Sequence, residues 1–174
     1  MKLARKIIED HFAGKETEVP LDEKAGVFVT LKKNGELRGC IGIPYPMNLG
    51  LALKEAALGA IRDPRFPPVR KEEMKEVRVE VSVLTPPERV KDPLKEVEVG
   101  RHGIIVRCGP YSGLLLPQVP AEEGWDLKEF LDYGCLKAGL PPGCWKNCEV
   151  YRFEAEIFEE TSPDGKVRRK NNKV

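Results

Sequence analysis

The sequence of 174 residues contains no long apolar run. None of its segments approaches the roughly eighteen consecutive apolar residues that a membrane-spanning helix needs. Its first twelve residues also differ from a signal peptide, because charged residues interrupt the apolar positions Leu3, Ile7 and Ile8. We therefore predict a cytoplasmic protein that makes no contact with a membrane.

The sequence has no excess of charge of either sign, since 29 basic and 28 acidic side chains leave a net charge of +1. Such a chain has no overall field to attract nucleic acid, so binding of nucleic acid would need a local basic patch. Glutamine is also scarce, because Gln118 is the only one, whereas Lys and Glu are abundant. This composition is typical of proteins from thermophiles, which avoid labile amides and favour ion pairs.

The local signatures of common cofactor and metal chemistry are missing. The sequence contains no GxGxxG, P-loop, GxSxG or HExxH motif, and we predict neither a cofactor nor a metal. Five cysteines are an odd number, so at least one of them is unpaired within the chain. Cys144 and Cys148 could form a disulfide, bind a metal or simply pack, although zinc sites usually use closer pairs such as CxxC.

The pattern of the first half predicts a hairpin, a helix and a strand. Residues 27–31 and 36–43 are apolar-rich runs that flank an Asn-Gly pair, the strongest short hairpin signal. Prolines at 44 and 46 are expected to end the second strand. A helix from Asn48 through Ile61 follows, and residues 75–85 alternate between valine and polar side chains as a strand does.

The second half shows a similar order of predicted elements. A hairpin spans residues 102–119, a helix runs from Asp126 to about Ala138, and a last strand covers residues 149–160. These two blocks indicate an internal duplication. We therefore predict one domain over residues 1–160, which could consist of two lobes. The segment 161–174 is basic and has little to bury, and we predict that it is a flexible tail.

The most distinctive motif surrounds Cys40, which lies between Gly39 and Gly42 on the returning strand of the first hairpin. Glycines at such positions let another segment or a substrate approach the backbone. The neighbouring Arg38 would lower the pKa of the thiol and favour a nucleophilic thiolate. The alternative is that Cys40 is a small buried apolar residue and that the glycines mark a bulge.

Other candidate residues lie at the boundaries of predicted elements. His102 could be a general base or a structural imidazole. Asp63 and Arg65, held between prolines, could bind an anion or pair with each other. The remaining candidates are polar residues on or beside strands that could face solvent or line a cavity, namely Glu80, Ser82 and Gln118.

Five of these motifs together resemble the AMMECR family, in the right order from about residue 27 to residue 158. The resemblance implies an α+β fold with a curled, barrel-like mixed or antiparallel sheet, flanking helices and two similar halves. It also implies a pathway shared with Memo-type and radical-SAM proteins, with a Memo-type protein as a partner, but it implies no particular reaction. The motifs are Leu37 to Gly42, Asp63 with Arg65 to Pro68, Val81 to Leu84, Gly100 to Gly103, and Leu115 to Val119 followed by Glu122 and Trp125.

Two functional hypotheses follow. In the first, the protein is an enzyme for a small anionic substrate, with Cys40 as the nucleophile and His102 as its base. The side chains that would bind the substrate are Arg38, Asp63, Arg65, Glu80, Ser82 and Gln118. In the second, it is a noncatalytic module that binds a protein or a nucleic acid through its arginine-bearing face and its basic tail.

Overall fold

The computed structural model describes residues 1–170. The helices are α1 (Lys2–Phe12), α2 (Leu49–Ala60), α3 (Pro93–Glu96), α4 (Val119–Glu123) and α5 (Leu127–Lys137), and 3-10 turns cover Lys71–Lys75 and Cys144–Lys146. The strands are β1 (Lys24–Lys33), β2 (Glu36–Asn48), β3 (Val77–Leu84), β4 (Glu88–Val90), β5 (Gly103–Cys108), β6 (Tyr111–Leu115), β7 (Glu149–Phe153), β8 (Ala155–Glu160) and β9 (Val167–Lys170). Over this described part of the chain, no helix is long and apolar enough to cross a membrane.

The fold is α+β, as predicted, and its strands form two antiparallel sheets. The first sheet has the strand order β2-β1-β3-β8-β9, and the second has the order β4-β7-β5-β6. The expectation of a barrel-like sheet is wrong. Strands β2 and β9 are two separate edges of the first sheet, whereas a barrel closes only when its edge strands hydrogen-bond to each other.

The chain divides into two compact units. The first unit comprises residues 1–84 and 156–170, and the second comprises residues 85–155. Each unit contains a hairpin, a helix and a further strand that pairs with the first strand of the hairpin. These elements are β1, β2, α2 and β3 in the first unit and β5, β6, α5 and β7 in the second. The two blocks recognised in the sequence are therefore the same chain path used twice.

The hairpin of β1 and β2 sets the position of Cys40. Its turn residues Asn34 and Gly35 have φ angles of 53° and 84°, and a two-residue type I′ turn requires positive values at both positions. The pairing then slips by one residue, because Gly39 lies opposite Leu31 whereas Leu37 lies opposite Lys32. Arg38 is thus the extra residue of a β-bulge.

Helix α2 covers one face of the first sheet. The core between them contains valines and Leu31 from β1, valines from β3 and the alanines of α2. Gly39 is on this face, and a side chain there would overlap the carbonyl oxygen of Ala60 at the end of α2. A side chain at Gly42 would overlap the ring of Phe28. The absence of a side chain therefore lets the end of α2 pack against Gly39 and lets the Phe28 ring pack against Gly42.

Strand β2 continues through Pro44 and Pro46 to Asn48, although the prolines were expected to end it. The difference arises because β2 is an edge strand, which needs backbone donors on only one of its sides. The side chain of Asn48 then accepts a hydrogen bond from the backbone N–H of Leu51 and caps α2, as predicted.

A buried ion pair fastens α1 to the first sheet. The guanidinium of Arg5 donates to both carboxylate oxygens of Glu160 at 2.6 and 2.8 Å and to the carbonyl oxygen of Val77 at 2.6 Å. Glu160 also accepts a hydrogen bond from the backbone N–H of Val79 at 2.9 Å. Three elements, α1, β3 and β8, thus meet at one pair of charged side chains.

Four of the five cysteines form two disulfides in the second unit. Cys108 pairs with Cys148 and Cys135 pairs with Cys144, so Cys144 and Cys148 do not bridge each other. The first bond joins the end of β5 to the residue before β7, and the second joins α5 to the turn that follows it. Cys40 is the free thiol.

The segment after residue 160 differs from the predicted flexible tail. Residues 167–170 form β9, which pairs with β8 so that Val167 lies opposite Glu160. Arg168 contacts Glu159 at 2.7 Å, and Arg169 contacts Glu156 at 3.0 Å. The basic residues are therefore held by acidic residues of the neighbouring strand, while residues 171–174 of the predicted tail lie outside the described part.

Candidate functional site

Three polar side chains form a row across the first sheet. Cys40 on β2 lies opposite Thr30 on β1, and Thr30 lies opposite Glu80 on β3. Residues directly opposite each other share one face of a sheet. Because Gly39 and Leu31 face α2, the row of Cys40, Thr30 and Glu80 is on the other face, where Thr30 and Glu80 are buried.

Cys40 is held at its backbone and at its sulfur. Its N–H donates to Asp63 Oδ2 at 2.9 Å, its carbonyl oxygen accepts from Arg65 Nη2 at 3.3 Å, and its Sγ lies 3.2 Å from Thr30 Oγ1. Burial raises the pKa of the Cys40 thiol, and the contacts with Thr30 and Arg65 offset this only in part. We expected a neighbouring arginine to lower this pKa. Arg65 does lower it, but burial raises it by more, so the pKa of the thiol is raised overall.

Asp63 and Arg65 pair with each other, which is one of the two arrangements that the sequence left open. Arg65 Nη2 lies 2.7 Å from Asp63 Oδ2, and Arg65 Nε lies 3.0 Å from Asp63 Oδ1. The Arg65 guanidinium holds the pKa of Asp63 well below its usual range. Asp63 is only 2% exposed, and its bond to the Cys40 N–H fixes β2 beside the end of α2.

Arg38 supports the proline-rich link after Asp63. Its guanidinium donates to the carbonyl oxygen of Pro67 at 2.8 Å and to the carboxylate of Glu73 at 3.0 and 3.2 Å. The pKa of Glu73 is lowered to about 2, because the backbone N–H of Arg70 and the guanidinium of Arg38 donate to its carboxylate. Arg38 therefore stabilises the link between α2 and the 3-10 turn at residues 71–75. That it also binds an anionic substrate stays a prediction.

Glu80 and Ser82 lie on the same face of β3 and are both buried. Two ammonium groups approach Glu80 Oε2, that of Lys32 at 3.2 Å and that of Lys170 at 3.6 Å. Ser82 is only 1% exposed, and its Oγ has no hydrogen-bond partner among residues 1–170. A buried hydroxyl without a partner is costly.

His102 and Gln118 belong to the second unit, whereas Cys40 belongs to the first. The Nδ1 atom of His102 accepts a hydrogen bond from the backbone N–H of Glu98 at 2.9 Å. Burial lowers the pKa of this imidazole, and the nearby Arg152 and Arg101 lower it further. Gln118 precedes α4, and its Oε1 is buried and also has no partner within the described chain. The pairing of His102 with Cys40 stays a prediction.

Thr30, Lys32 and Lys170 contact Cys40 or Glu80 but were not among the site residues predicted from the sequence. Thr30 and Lys32 look like ordinary outward-facing residues of a hairpin strand, and Lys170 lies in the segment expected to be flexible. Residues 1–170 contain no group of three or more His, Cys, Asp or Glu side chains that could hold a metal ion.

A comparison with known protein families places these residues in context, since the sequence model of the AMMECR1 family matches residues 1–158. The chain belongs to the AMMECR1 family. It is 56% identical to protein NEQ441 of Nanoarchaeum equitans, with 91% of this chain and 97% of that protein covered. It is 54% identical to protein MK0488 of Methanopyrus kandleri, with 98% and 91% covered.

The fold of this AMMECR1 chain is also found in a crystal structure, that of the uncharacterized protein PH0010 from Pyrococcus horikoshii. The two chains superpose with a TM-score of 0.91 at 52% sequence identity, over 98% of this chain and 94% of the other. At that identity the likeness extends to family as well as fold. The names of these archaeal relatives state no reaction.

Proposed function

We propose that this AMMECR1 protein is an enzyme that acts on a small anionic substrate through the thiol of Cys40. The observation that carries the proposal is the row of half-buried Cys40 with buried Thr30 and Glu80 on one face of the sheet. Burying polar groups costs free energy that an apolar face would avoid. Groups that can exchange protons, set side by side at such a place, favour a catalytic role.

In the proposed reaction, Cys40 attacks the substrate as a nucleophile. Sγ of Cys40 forms a bond to an electrophilic carbon of the substrate, and the leaving group departs with the electron pair of the bond that breaks. Because burial keeps the thiol protonated, its proton needs an acceptor. We assign Glu80 as that base, because it lies opposite Thr30 on the neighbouring strand and the Thr30 hydroxyl lies 3.2 Å from Sγ. Water then cleaves the covalent intermediate and restores the thiol.

The preference for an anionic substrate follows from the charges around Glu80. The ammonium group of Lys32 lies 3.2 Å from Glu80 Oε2 and places a positive charge on this face of the sheet. The unpartnered Oγ of Ser82, on the same face of β3, supplies a further hydrogen-bonding group. Once Glu80 accepts a proton, the positive charge beside it increases, and an anion bound there is stabilised further.

The alternative of a noncatalytic binding module has less support. It needs arginines that are available to a partner, but Arg38 binds Pro67 and Glu73. The side chains of Arg65, Arg168 and Arg169 are exposed, but each already pairs with a carboxylate. A place in a pathway shared with Memo-type and radical-SAM proteins is compatible with the enzyme, and it is proposed on the family resemblance alone.

The test compares two p-nitrophenyl esters of similar length, succinate monoester, which carries a carboxylate, and butyrate, which is neutral. We expect hydrolysis of both, with kcat/KM about tenfold higher for the anionic ester, a difference of about 1.4 kcal/mol. Cys40→Ser should lower the hydrolysis rate of each ester to the rate measured without protein.

Lys32→Gln should remove the preference for the charged ester. The matched control is Lys54→Gln, since Lys54 also contacts a carboxylate but lies on α2, and it should keep the preference. Equal rates for the wild-type protein and Cys40→Ser would overturn the proposal.

A further inference from the structure

The second unit contains a cleft of about 460 Å³ that the proposed reaction does not use. Known ligand pockets span roughly 300–1,000 Å³, so a small molecule fits this cleft. Its polar lining consists of two arginines, two glutamates, a threonine and a histidine, namely Arg101, Arg152, Glu88, Glu154, Thr85 and His102.

The tautomer of His102 decides what the cleft can bind. A backbone N–H can only donate, so Nδ1 of His102 uses its lone pair to accept the N–H of Glu98. In the neutral imidazole the proton is therefore on Nε2, which presents a donor to the cleft. A metal ion would need a lone pair at Nε2, so this tautomer suits a hydrogen-bond acceptor in the cleft better than a metal ion.

Within residues 1–170, the donor at Nε2 has no acceptor at hydrogen-bond distance. The His102 side chain is only 7% exposed, and the nearest carboxylate oxygen, Glu154 Oε1, is 3.8 Å away. That oxygen is already bound by the guanidinium of Arg101, with Nε and Nη2 both at 2.9 Å. A carboxylate oxygen thus lies between Arg101 and His102 and satisfies only the arginine.

From this geometry we propose that the cleft binds the oxyanion group of a small molecule, a carboxylate or a phosphate, between His102 Nε2–H and Arg101. The bound oxyanion replaces the side chain of Glu154, which is 48% exposed and is free to turn towards water. With Glu154 turned away, Arg152 keeps Glu88 at 3.4 Å and Arg101 keeps Glu98 at 3.5 Å through Nη1. The Nε and Nη2 donors of Arg101, which had bound Glu154, then face the incoming oxyanion. This site lies wholly in the second unit and does not depend on the chemistry proposed for Cys40.

The chain has only two histidines, which gives a direct measurement. Two-bond proton–nitrogen NMR spectra of the full chain resolve each imidazole nitrogen, and inorganic phosphate and acetate are titrated separately against sodium chloride of equal ionic strength. We expect a saturable shift of His102 Nε2 with phosphate, acetate or both, and the anion that saturates at the lower concentration identifies the preferred oxyanion. His11, which contacts Arg62 in the first unit, should not show a saturable shift.

Variants separate displacement of Glu154 from incidental binding. Glu154→Gln removes the competing carboxylate charge and should tighten binding about tenfold, whereas Arg101→Gln should weaken it about tenfold. Arg107→Gln, an exposed arginine on β5 of the same unit, is the control and should leave binding unchanged. A His102 shift that chloride reproduces, no saturation with either anion, or weaker binding by Glu154→Gln would overturn the proposal.

Discussion

At the scale of single residues, the surroundings of Cys40 keep its thiol protonated at neutral pH. The one arginine that contacts its backbone, Arg65, is already paired with Asp63, so its charge is largely compensated. Burial and the nearby carboxylates of Glu80 and Asp63 raise the pKa of the thiol. In its proposed role as the nucleophile, Cys40 therefore needs a base.

Alkylation of the folded protein by iodoacetamide should report this raised pKa. Cys40 is the free thiol and the other four cysteines are in disulfides, so one site reacts. The thiolate is the reactive form, and its fraction rises with pH until the pKa is passed. We expect the rate to keep rising above pH 8.5, about the ordinary value, as measured by intact mass. Glu80→Gln should move the midpoint to lower pH, and a wild-type midpoint at or below 8.5 would contradict this reading.

Asp63 should contribute to stability through the hydrogen bonds that it accepts. Asp63→Asn weakens the bonds from Cys40 N–H and from Arg65, and we expect a loss of about 2 kcal/mol in the free energy of unfolding at pH 7. Because the pKa of Asp63 is lowered on folding, its contribution is complete above the ordinary carboxyl value of about 4 and is lost as the pH falls below it.

Urea titrations at pH 7 and pH 3 check this expectation for Asp63. The difference between wild type and Asp63→Asn should shrink at the lower pH. Asp22→Asn, at an exposed position of the same unit, serves as the control and should cost little at either pH. A difference that stays constant between the two pH values would show that the carboxylate charge is not the cause.

At the scale of elements, the hairpin shows how far local sequence rules reach. The Asn-Gly pair correctly predicted the turn between β1 and β2. Counting outward from that turn without a bulge would place Cys40 opposite Val29, on the face that packs against α2. The bulge at Arg38 shifts the pairing by one residue and turns Cys40 to the polar face. The glycines beside Cys40 had offered a bulge as one alternative, and the extra residue is Arg38, directly before Gly39. Its exact position depends on tertiary contacts of Arg38 with Pro67 and Glu73, which the local sequence does not reveal.

The ion pair of Arg5 with Glu160 should contribute strongly to the stability of the first unit. Arg5→Met leaves Glu160 buried without its charge partner, and we expect a loss of roughly 3–5 kcal/mol in the free energy of unfolding. The double variant Arg5→Met with Glu160→Gln should recover part of this loss, since the amide is uncharged and still accepts the N–H of Val79. Urea unfolding measures both variants, and a cost below about 1 kcal/mol for Arg5→Met would contradict the assignment.

At the scale of the whole molecule, the sequence predicted the α+β class and the repeated order of hairpin, helix and strand. It did not predict two open sheets, because strand order depends on pairings between distant segments, such as that of β3 with β8. It also failed for β9, whose basic residues are ordered by ion pairs with β8 that no local pattern reveals. The disulfide partners are 40 and 9 residues apart, and cysteine spacing alone does not determine such pairings.

The two disulfides should stabilise the second unit to different extents. In the chain-entropy model the stabilisation grows with the length of the closed loop. Removing the 40-residue link with Cys108→Ala and Cys148→Ala should therefore cost roughly 1 kcal/mol more than removing the 9-residue link with Cys135→Ala and Cys144→Ala. Urea unfolding of the two double variants measures the difference. An equal or reversed order of stability would contradict the entropic explanation.

The central claim, that Cys40 forms a covalent bond with substrate, is tested most directly by trapping the intermediate. The protein is mixed with p-nitrophenyl succinate, quenched in acid within the first turnover, and analysed by intact and peptide mass spectrometry. The structure predicts one succinyl group per chain, located on Cys40, and none in Cys40→Ser. A succinyl group on lysine alone, or no adduct while p-nitrophenol is released at the wild-type rate, would contradict the claim.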